Sequence, residues 1–241
     1  MKRTAVITQP TYLPWLGYFE QMRRADVFVF LDSVQFERRS WQCRNRILDD
    51  RGEPEWLTVP LKHQPRATAI RDILITTERA DWAQDHLRLL QARLGSAPHF
   101  PAVREVLAPV LRAPPSHLAD LNIALIRALA ARLGLAPEFL RSSELPVTGA
   151  QADLIVNVAR HVGATDYYSA AGSAAYLDEA RDQFAAAHID YAYQTWEHPR
   201  HPQGREAFVS HLSAVDALCW IGFDAVAGLL SDGAVPQLQA V

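Results

Sequence analysis

The sequence predicts an open, mostly parallel α/β sheet, Rossmann-like, with an inserted hairpin and a helical subregion. Three observations carry this. Short β-branched runs alternate with segments of helical apolar spacing. The first two runs are separated by one short helical segment, as in a βαβ unit with parallel neighbours. Residues 81–133 are Leu/Ala/Arg-rich with helical spacing and are broken only by prolines.

In order along the chain, Thr4–Thr8 reads as a buried strand ended by Gln9-Pro10, and Gly17–Arg24 as a helix. Val27–Leu31 reads as a second buried strand, stopped at Asp32. Trp41–Leu48 and Trp56–Leu61 flank a turn at Asp49-Asp50-Arg51-Gly52, which predicts a hairpin. Ile70–Ile75 reads as a further strand. Helices are expected over Asp81–Leu94, Ala102–Leu111 and Ser116–Leu133, with Ser116 as N-cap and Gly134 as the stop. The remainder predicts strands at Phe139–Ser142, Asp166–Ser169 and Ile189–Gln194. Helices are predicted between them at Gln151–Val162 and Ser173–Ala187, and after them at Phe208–Ile221 with a short continuation to Leu230. This organisation implies one domain over 1–230 and a loose tail over 231–241.

Composition bounds the function. With 49% hydrophobic and 21% charged residues, the chain has a globular balance that excludes a disordered or fibrous class. A net charge of −3 gives no bulk attraction to nucleic acid or to anionic membranes. The apolar run after Met1-Lys2-Arg3 is too short for a signal peptide, and a cytoplasmic location is expected. Cys43 and Cys219 are too far apart and too few for a disulfide framework. His198, His201 and His211 lie in a proline-broken loop with no metal-ligand spacing, so no metal is expected. The lack of a Walker loop or a Gly-x-Gly-x-x-Gly pattern gives no support to a nucleotide cofactor.

Gln9-Pro-Thr-Tyr12-Leu-Pro14-Trp15-Leu-Gly17-Tyr18 places two prolines, a glycine and three aromatics at the carboxyl end of the first strand. Open α/β sheets bind ligands there. Tyr12, Trp15 and Tyr18 are suited either to stacking on a base or sugar or to filling the core. Asp32 and Gln35 end the second strand and should face the same crevice as Gln9. Asp32 then serves as a base, orients a substrate hydroxyl or amine, holds a metal, or caps a turn. Arg38, Arg39, Arg44 and Arg46 put four guanidiniums within nine residues, an arrangement suited to phosphate or carboxylate and unmatched elsewhere in the chain. Alternation sets Arg44 and Arg46 on one face and Cys43 and Asn45 on the other. A Cys43 thiol activated by a base such as His63 is the weaker chemical alternative.

The runs AVITQPTYLPWLGYFEQM, ADVFVFLDSVQF and WQCRNRI resemble the opening of the WbqC-like family. Later landmarks fall in the same order: Thr58-Val-Pro-Leu61, Arg141-Ser-Ser143, Gly163-Ala-Thr-Asp-Tyr-Tyr-Ser169, Gly172 with Tyr176-Leu177, and Leu212-Ser-Ala-Val-Asp216. Cys43 departs from the Asn usual at that position in the family, so a family-wide role there is not a thiol role. The resemblance implies a biosynthetic context, in O-antigen and other polysaccharide clusters or specialised-metabolite pathways. The element order is also similar to nucleotidyltransferase-like folds such as pantothenate synthetase, which implies joining of an acid to an amine through an adenylate. The two histidines such enzymes carry in the first loop are absent here, because no histidine precedes His63.

Together these readings predict a transferase that moves an acyl or aminoacyl group onto a small amine-bearing substrate, such as a nucleotide-linked amino sugar or an amino acid derivative. Asp32 and Gln9 are the expected catalytic residues. Tyr12, Trp15, Tyr18, Gln35, Arg44, Asn45, Arg46 and Ser169 are the expected binding residues for an anionic or phosphate-bearing small molecule. The rival is a non-catalytic binding or scaffold subunit of a biosynthetic complex.

Overall fold

The computed structural model describes residues 2–79 and 81–231. In chain order the strands are β1 (Thr4–Thr8), β2 (Val27–Phe30), β3 (Arg44–Leu48), β4 (Pro54–Thr58), β5 (Glu138–Arg141), β6 (Asp166–Ser169) and β7 (Asp190–Tyr193). The helices are α1 (Leu16–Arg24), α2 (Trp82–Leu94), α3 (Phe100–Arg112), α4 (Leu118–Arg132), α5 (Gln151–His161), α6 (Ala174–Asp178), α7 (Arg181–Ala186) and α8 (Ala214–Ser231). Five strands form one sheet in the order β5-β2-β1-β6-β7, every pairing parallel, and β3 and β4 form a separate antiparallel hairpin.

Side-chain alternation along the strands decides which layer each residue joins. Val6, Phe28, Phe30, Tyr168 and Ala192 face the larger core, beneath α1–α4, α8 and the hairpin. Ala5, Ile7, Val27, Val29, Leu31, Tyr167 and Tyr191 face the smaller core, with Leu154, Ile155, Val158, Leu177 and Phe184 from α5–α7. Both faces of the sheet are therefore covered, which is why its strands read as near-continuous apolar runs. The hairpin is fastened by Arg93 of α2, which donates to Asp50 Oδ2 (2.5 Å) and Glu55 Oε2 (2.9 Å).

Several elements differ from the sequence reading. Ile70–Ile75 is not a strand: Ile70–Asp72 forms a 3₁₀ turn, and only isolated bridges pair Leu74 with His117 and Ile75 with Leu61. Burial of Ile70, Ile73 and Ile75 satisfies the apolar run without a ladder, while the Ile70 and Arg71 amides donate to the carbonyls of Val34 and Asp32. The segment expected as one helix over Ser173–Ala187 is split into α6 and α7. Ser116 does not cap α4. His117 holds the N-cap position, and Ser116 Oγ instead meets the His117 ring. Gly134 does follow α4 with φ +70°, the left-handed stop that glycine takes without penalty. Residues 208–213 are loop, and α8 runs on through a break at Gly222 (φ +81°). By length and composition α8 could cross a membrane; just over half of it (56%) is buried, as in a core helix. Most of the expected tail, residues 232–241, lies outside the described residues.

The C-terminal end of β2 is clamped to β5 by a buried carboxylate. Asp32 is fully buried and accepts from Arg141 Nε (2.7 Å), Ser142 Oγ (3.2 Å), Ser143 N (3.0 Å) and Ser143 Oγ (2.9 Å). Arg141 also donates to Asp120 of α4 (2.7 Å), so one guanidinium joins both strands to the helical layer. Asp32→Ala leaves that guanidinium short of its buried partner. The expected loss of unfolding free energy is on the order of 3 kcal/mol. Urea unfolding reads it, and a loss below about 1 kcal/mol would show that the clamp carries little.

Candidate functional site

The loop that follows β1 is held from three sides. Asn45 Nδ2, on the inner face of β3, donates to the carbonyls of Tyr12 (3.1 Å) and Leu13 (2.8 Å). Asn122 Nδ2 of α4 donates to those of Pro10 (3.0 Å) and Gln42 (2.8 Å). The Tyr12 amide donates to Trp41 O (2.9 Å). These bonds hold Leu13 at φ +42°, a left-handed conformation costly for a side chain of that size. Asn45 is thus a fastening of the loop, and its buried amide is fully used.

The three loop aromatics do not share one role. Tyr12 is fully buried and its hydroxyl bonds His86 Nδ1 (2.8 Å). Burial, its main cause, pushes His86 down to about 4, so the ring accepts from Tyr12 as a neutral imidazole. Tyr18 is buried too and donates to the Gln9 carbonyl (3.3 Å). Both rings fill the larger core. Trp15 is half-buried and folds back over Gly17, where a Cβ would come within 2.1 Å of the indole. The glycine therefore makes room for the chain's own tryptophan and not for a ligand. The outer face of Trp15 is stacked against His211 (5.0 Å) and His198 (6.1 Å).

The chain reverses its winding direction between β1 and β6, and such a switch point opens a crevice at the carboxyl ends of the strands. Gln9 and Ser169 stand on its two sides. Gln42 Nε2 donates to Gln9 Oε1 (2.7 Å), which uses the Gln9 oxygen as an acceptor and leaves its NH₂ as a donor. Ser169 is buried, its Oγ accepting from Tyr167 (3.1 Å) and its carbonyl from the Gln194 amide (2.7 Å). Beneath lies a polar group that sequence reasoning missed. Glu20 accepts from Tyr168 (3.0 Å), from Gln194 Nε2 (2.7 Å) and from Arg24, and Gln21 Nε2 donates to Gln194 (2.9 Å). Asp32 shares the edge of the sheet with Gln9, since Leu31 N donates to Thr8 O (2.8 Å). With four donors on its carboxylate, however, Asp32 has no oxygen left to take a substrate proton.

A cleft of about 1060 Å³ opens beyond this edge, between residues 35–39 and 58–66. Its wall carries Arg38, Arg39, Lys62, His63 and Arg66, against the single acid Glu37, with Gln35, Gln64, Cys43 and Thr58 between them. Arg38 donates to the Gln64 carbonyl (3.2 Å) and approaches His63 Nδ1 (3.4 Å). Gln42 links cleft and crevice, its Oε1 accepting from Glu37 N (3.1 Å) while its Nε2 holds Gln9. Half of the cationic wall was legible as Arg38-Arg39. The other half, Lys62-His63-Gln64-Pro65-Arg66, is a second basic run whose joining to the first needs the hairpin fold, so the 38–46 cluster is not unmatched. Cys43 lines the cleft, but burial pushes its thiol up despite the nearby Arg44 charge, and it donates only to Ser40 O (3.6 Å).

Gln35 alone of the expected binding residues reaches this cleft. Arg44 and Arg46 lie on the hairpin's outer face, with guanidiniums over Trp56 (4.0 and 5.6 Å) and, for Arg46, over Trp41 (5.2 Å). The residues expected around one pocket are therefore divided among a crevice, a cleft, the outer face of the hairpin and the core. In the histidine loop, His201 Nε2 meets Asp216 Oδ2 (2.8 Å), which also accepts from Gln203 (2.9 Å). Asp216 thereby fastens the loop to α8 and lies away from the cleft. Among the described residues no three His, Cys, Asp or Glu side chains form a metal-binding group.

Because His86 titrates lower when folded, the unfolded state binds more protons between pH 4 and 6.5, and stability falls as pH drops through that window. His86 should contribute about 2 kcal/mol to the loss between pH 7 and pH 5. Urea unfolding at both pH values should show His86→Gln, which can still accept from Tyr12, losing less than the parent chain by about that amount. Equal losses would mean that the ring is not held neutral.

No solved structure matches the chain. Rv1507c of Mycobacterium tuberculosis, an uncharacterized protein, is 33% identical over 181 residues, covering 74% of this chain and 77% of its own length. The first-loop residues, the hairpin with its Asn45, the Asp32 clamp and the start of α8 all fall within residues 9–227, which match the sequence model of one family. The chain belongs to the WbqC-like protein family.

Proposed function

We propose that this protein is a biosynthetic transferase that moves an acyl or aminoacyl group onto a small amine-bearing substrate, with the anionic part of a reactant held in the cationic cleft. The observation that carries the reading is the charge of that cleft: Arg38, Arg39, Lys62 and Arg66 face the single acid Glu37 in a chain whose net charge is −3. A cavity of about 1060 Å³ is the size of a small-molecule site. Guanidiniums on both walls suit a phosphate or carboxylate, which they grip through paired N–H bonds.

In this reading the donor amide of Gln9, held through Gln42, orients a carbonyl or hydroxyl at the edge of the sheet. An amine acceptor must lose a proton as its nitrogen bonds to the donor's acyl carbon. The bond from that carbon to the donor's activating group breaks, and the group leaves with the electron pair. Since Asp32 is fully bonded, the role of taking the proton passes to His63, the imidazole on the cleft wall. We read the protein as cytoplasmic and its context as polysaccharide, O-antigen or specialised-metabolite synthesis, in keeping with the family resemblance. No bound cofactor, nucleic acid or membrane enters this scheme.

The test is to incubate the full chain with activated acyl and aminoacyl donors and a panel of nucleotide-linked amino sugars and amino acid derivatives, with product followed by mass spectrometry. Arg66→Ala should lower kcat/KM by about tenfold or more, the worth of one charged hydrogen bond. His63→Gln should lower kcat by on the order of a hundredfold. If no pair of reactants gives product, and pathway output survives both substitutions in the producing cell, the transferase reading fails and a binding or scaffold role replaces it.

A further inference from the structure

The outer face of the hairpin carries a feature that the proposed reaction does not use. Trp41 and Trp56 are the exposed large hydrophobic residues among those described, at 46% and 40% exposure, and their rings lie 5.4 Å apart. Arg44 and Arg46 lie over them, and the Nε of each is buried without an acceptor. Among the described residues neither arginine has a carboxylate partner. The result is a platform of two indoles and two guanidiniums with no carboxylate against it, Arg46 donating only to the His211 carbonyl (3.5 Å).

This platform is continuous with the cleft. Thr58 pairs with Arg44 across the hairpin and also lines the cleft, and Trp56 lies two residues before it on the same face. Two strand residues span roughly 7 Å. Trp41 sits in the turn between Arg39 and Cys43, both of which line the cleft. A ligand whose phosphates lie in the cleft therefore meets stacking surface just beyond the Thr58 rim. Indole and guanidinium planes are the side chains that stack on nucleobases.

We infer that Trp41, Trp56, Arg44 and Arg46 form the base-stacking subsite for a nucleoside diphosphate, free or carrying the group to be modified, whose diphosphate occupies the cationic cleft. The inference rests on the proposed reading of the cleft as an anion site and names its ligand class. A ribose supplies the spacer between ring and phosphates. Stacking reads the π-face of a base and not its hydrogen-bonding edge, so the platform by itself selects weakly among bases.

The experiment is calorimetric titration of the full chain, at low salt, with inorganic pyrophosphate, UDP, ADP and a single-stranded hexanucleotide. Pyrophosphate should bind, and UDP and ADP should bind about tenfold more tightly, the scale of one base stacked on an aromatic ring. Trp56→Ala should abolish that excess while leaving pyrophosphate affinity unchanged, and Trp56→Phe should retain most of it. Trp41→Ala supplies a second variant of the platform should Trp56→Ala not fold. Nucleoside diphosphates no tighter than pyrophosphate, or an excess that survives both alanine variants, would sink the stacking subsite and leave the cleft reading intact. If pyrophosphate and the nucleotides all fail to bind, the cleft reading falls and the subsite with it. A hexanucleotide bound more tightly than any nucleoside diphosphate would reassign the surface to single-stranded nucleic acid.

Discussion

Two hydrogen bonds from the Asn45 amide to the carbonyls of Tyr12 and Leu13 hold the hairpin against the loop that follows β1. Leu13 sits at φ +42°, and without an outside partner the loop would relax from that conformation. Asn122 makes the matching pair of bonds from α4. With the loop fixed, Trp15 folds over Gly17 and Gln42 reaches Gln9. Cleft and platform both depend on where β3 and β4 stand relative to the sheet, and these bonds, with Arg93, set that position.

Charge is distributed unevenly around this frame. The chain is mildly acidic as a whole. Its buried carboxylates Asp32 and Glu20 are spent on internal donors, while several of its cations are left facing the cleft and the outer face of the hairpin. Buried carboxylates persist only where donors satisfy them, and exposed guanidiniums without carboxylates keep a local positive potential. Formal net charge averages the two populations and conceals the local field. Arg38 and Arg39 do not work alone: Lys62 and Arg66 approach them from the far side of the cleft, some twenty-five residues later in the chain.

The carboxylate and the aromatics of the first fifty residues show why residue type does not settle role. Asp32 has the place of a catalytic base, at the carboxyl end of a central strand, and its partners in the Arg141-Ser142-Ser143 turn make it a clamp. Tyr12 and Tyr18 have the look of stacking residues, and burial with partners at His86 and Gln9 makes them core. Trp41 is the contrary case. It reads as the start of a strand, yet its exposure and its neighbours Arg46 and Trp56 give it the surface role expected of the loop aromatics.

The sequence by itself determined the parallel α/β architecture, the hairpin and the helical subregion. Those follow from local periodicity and turn chemistry, which are properties of neighbouring residues. It also placed Gln9 and Asp32 on one edge, because strands joined by a single short crossover must be adjacent. Tertiary structure decided which polar and aromatic groups remained available. A carboxylate or an amide can acquire its role from a partner more than a hundred residues away, as Asp32 does from Arg141 and Gln21 from Gln194. Local pattern carries no record of such pairs, because the free energy that selects them appears only when the groups leave water together.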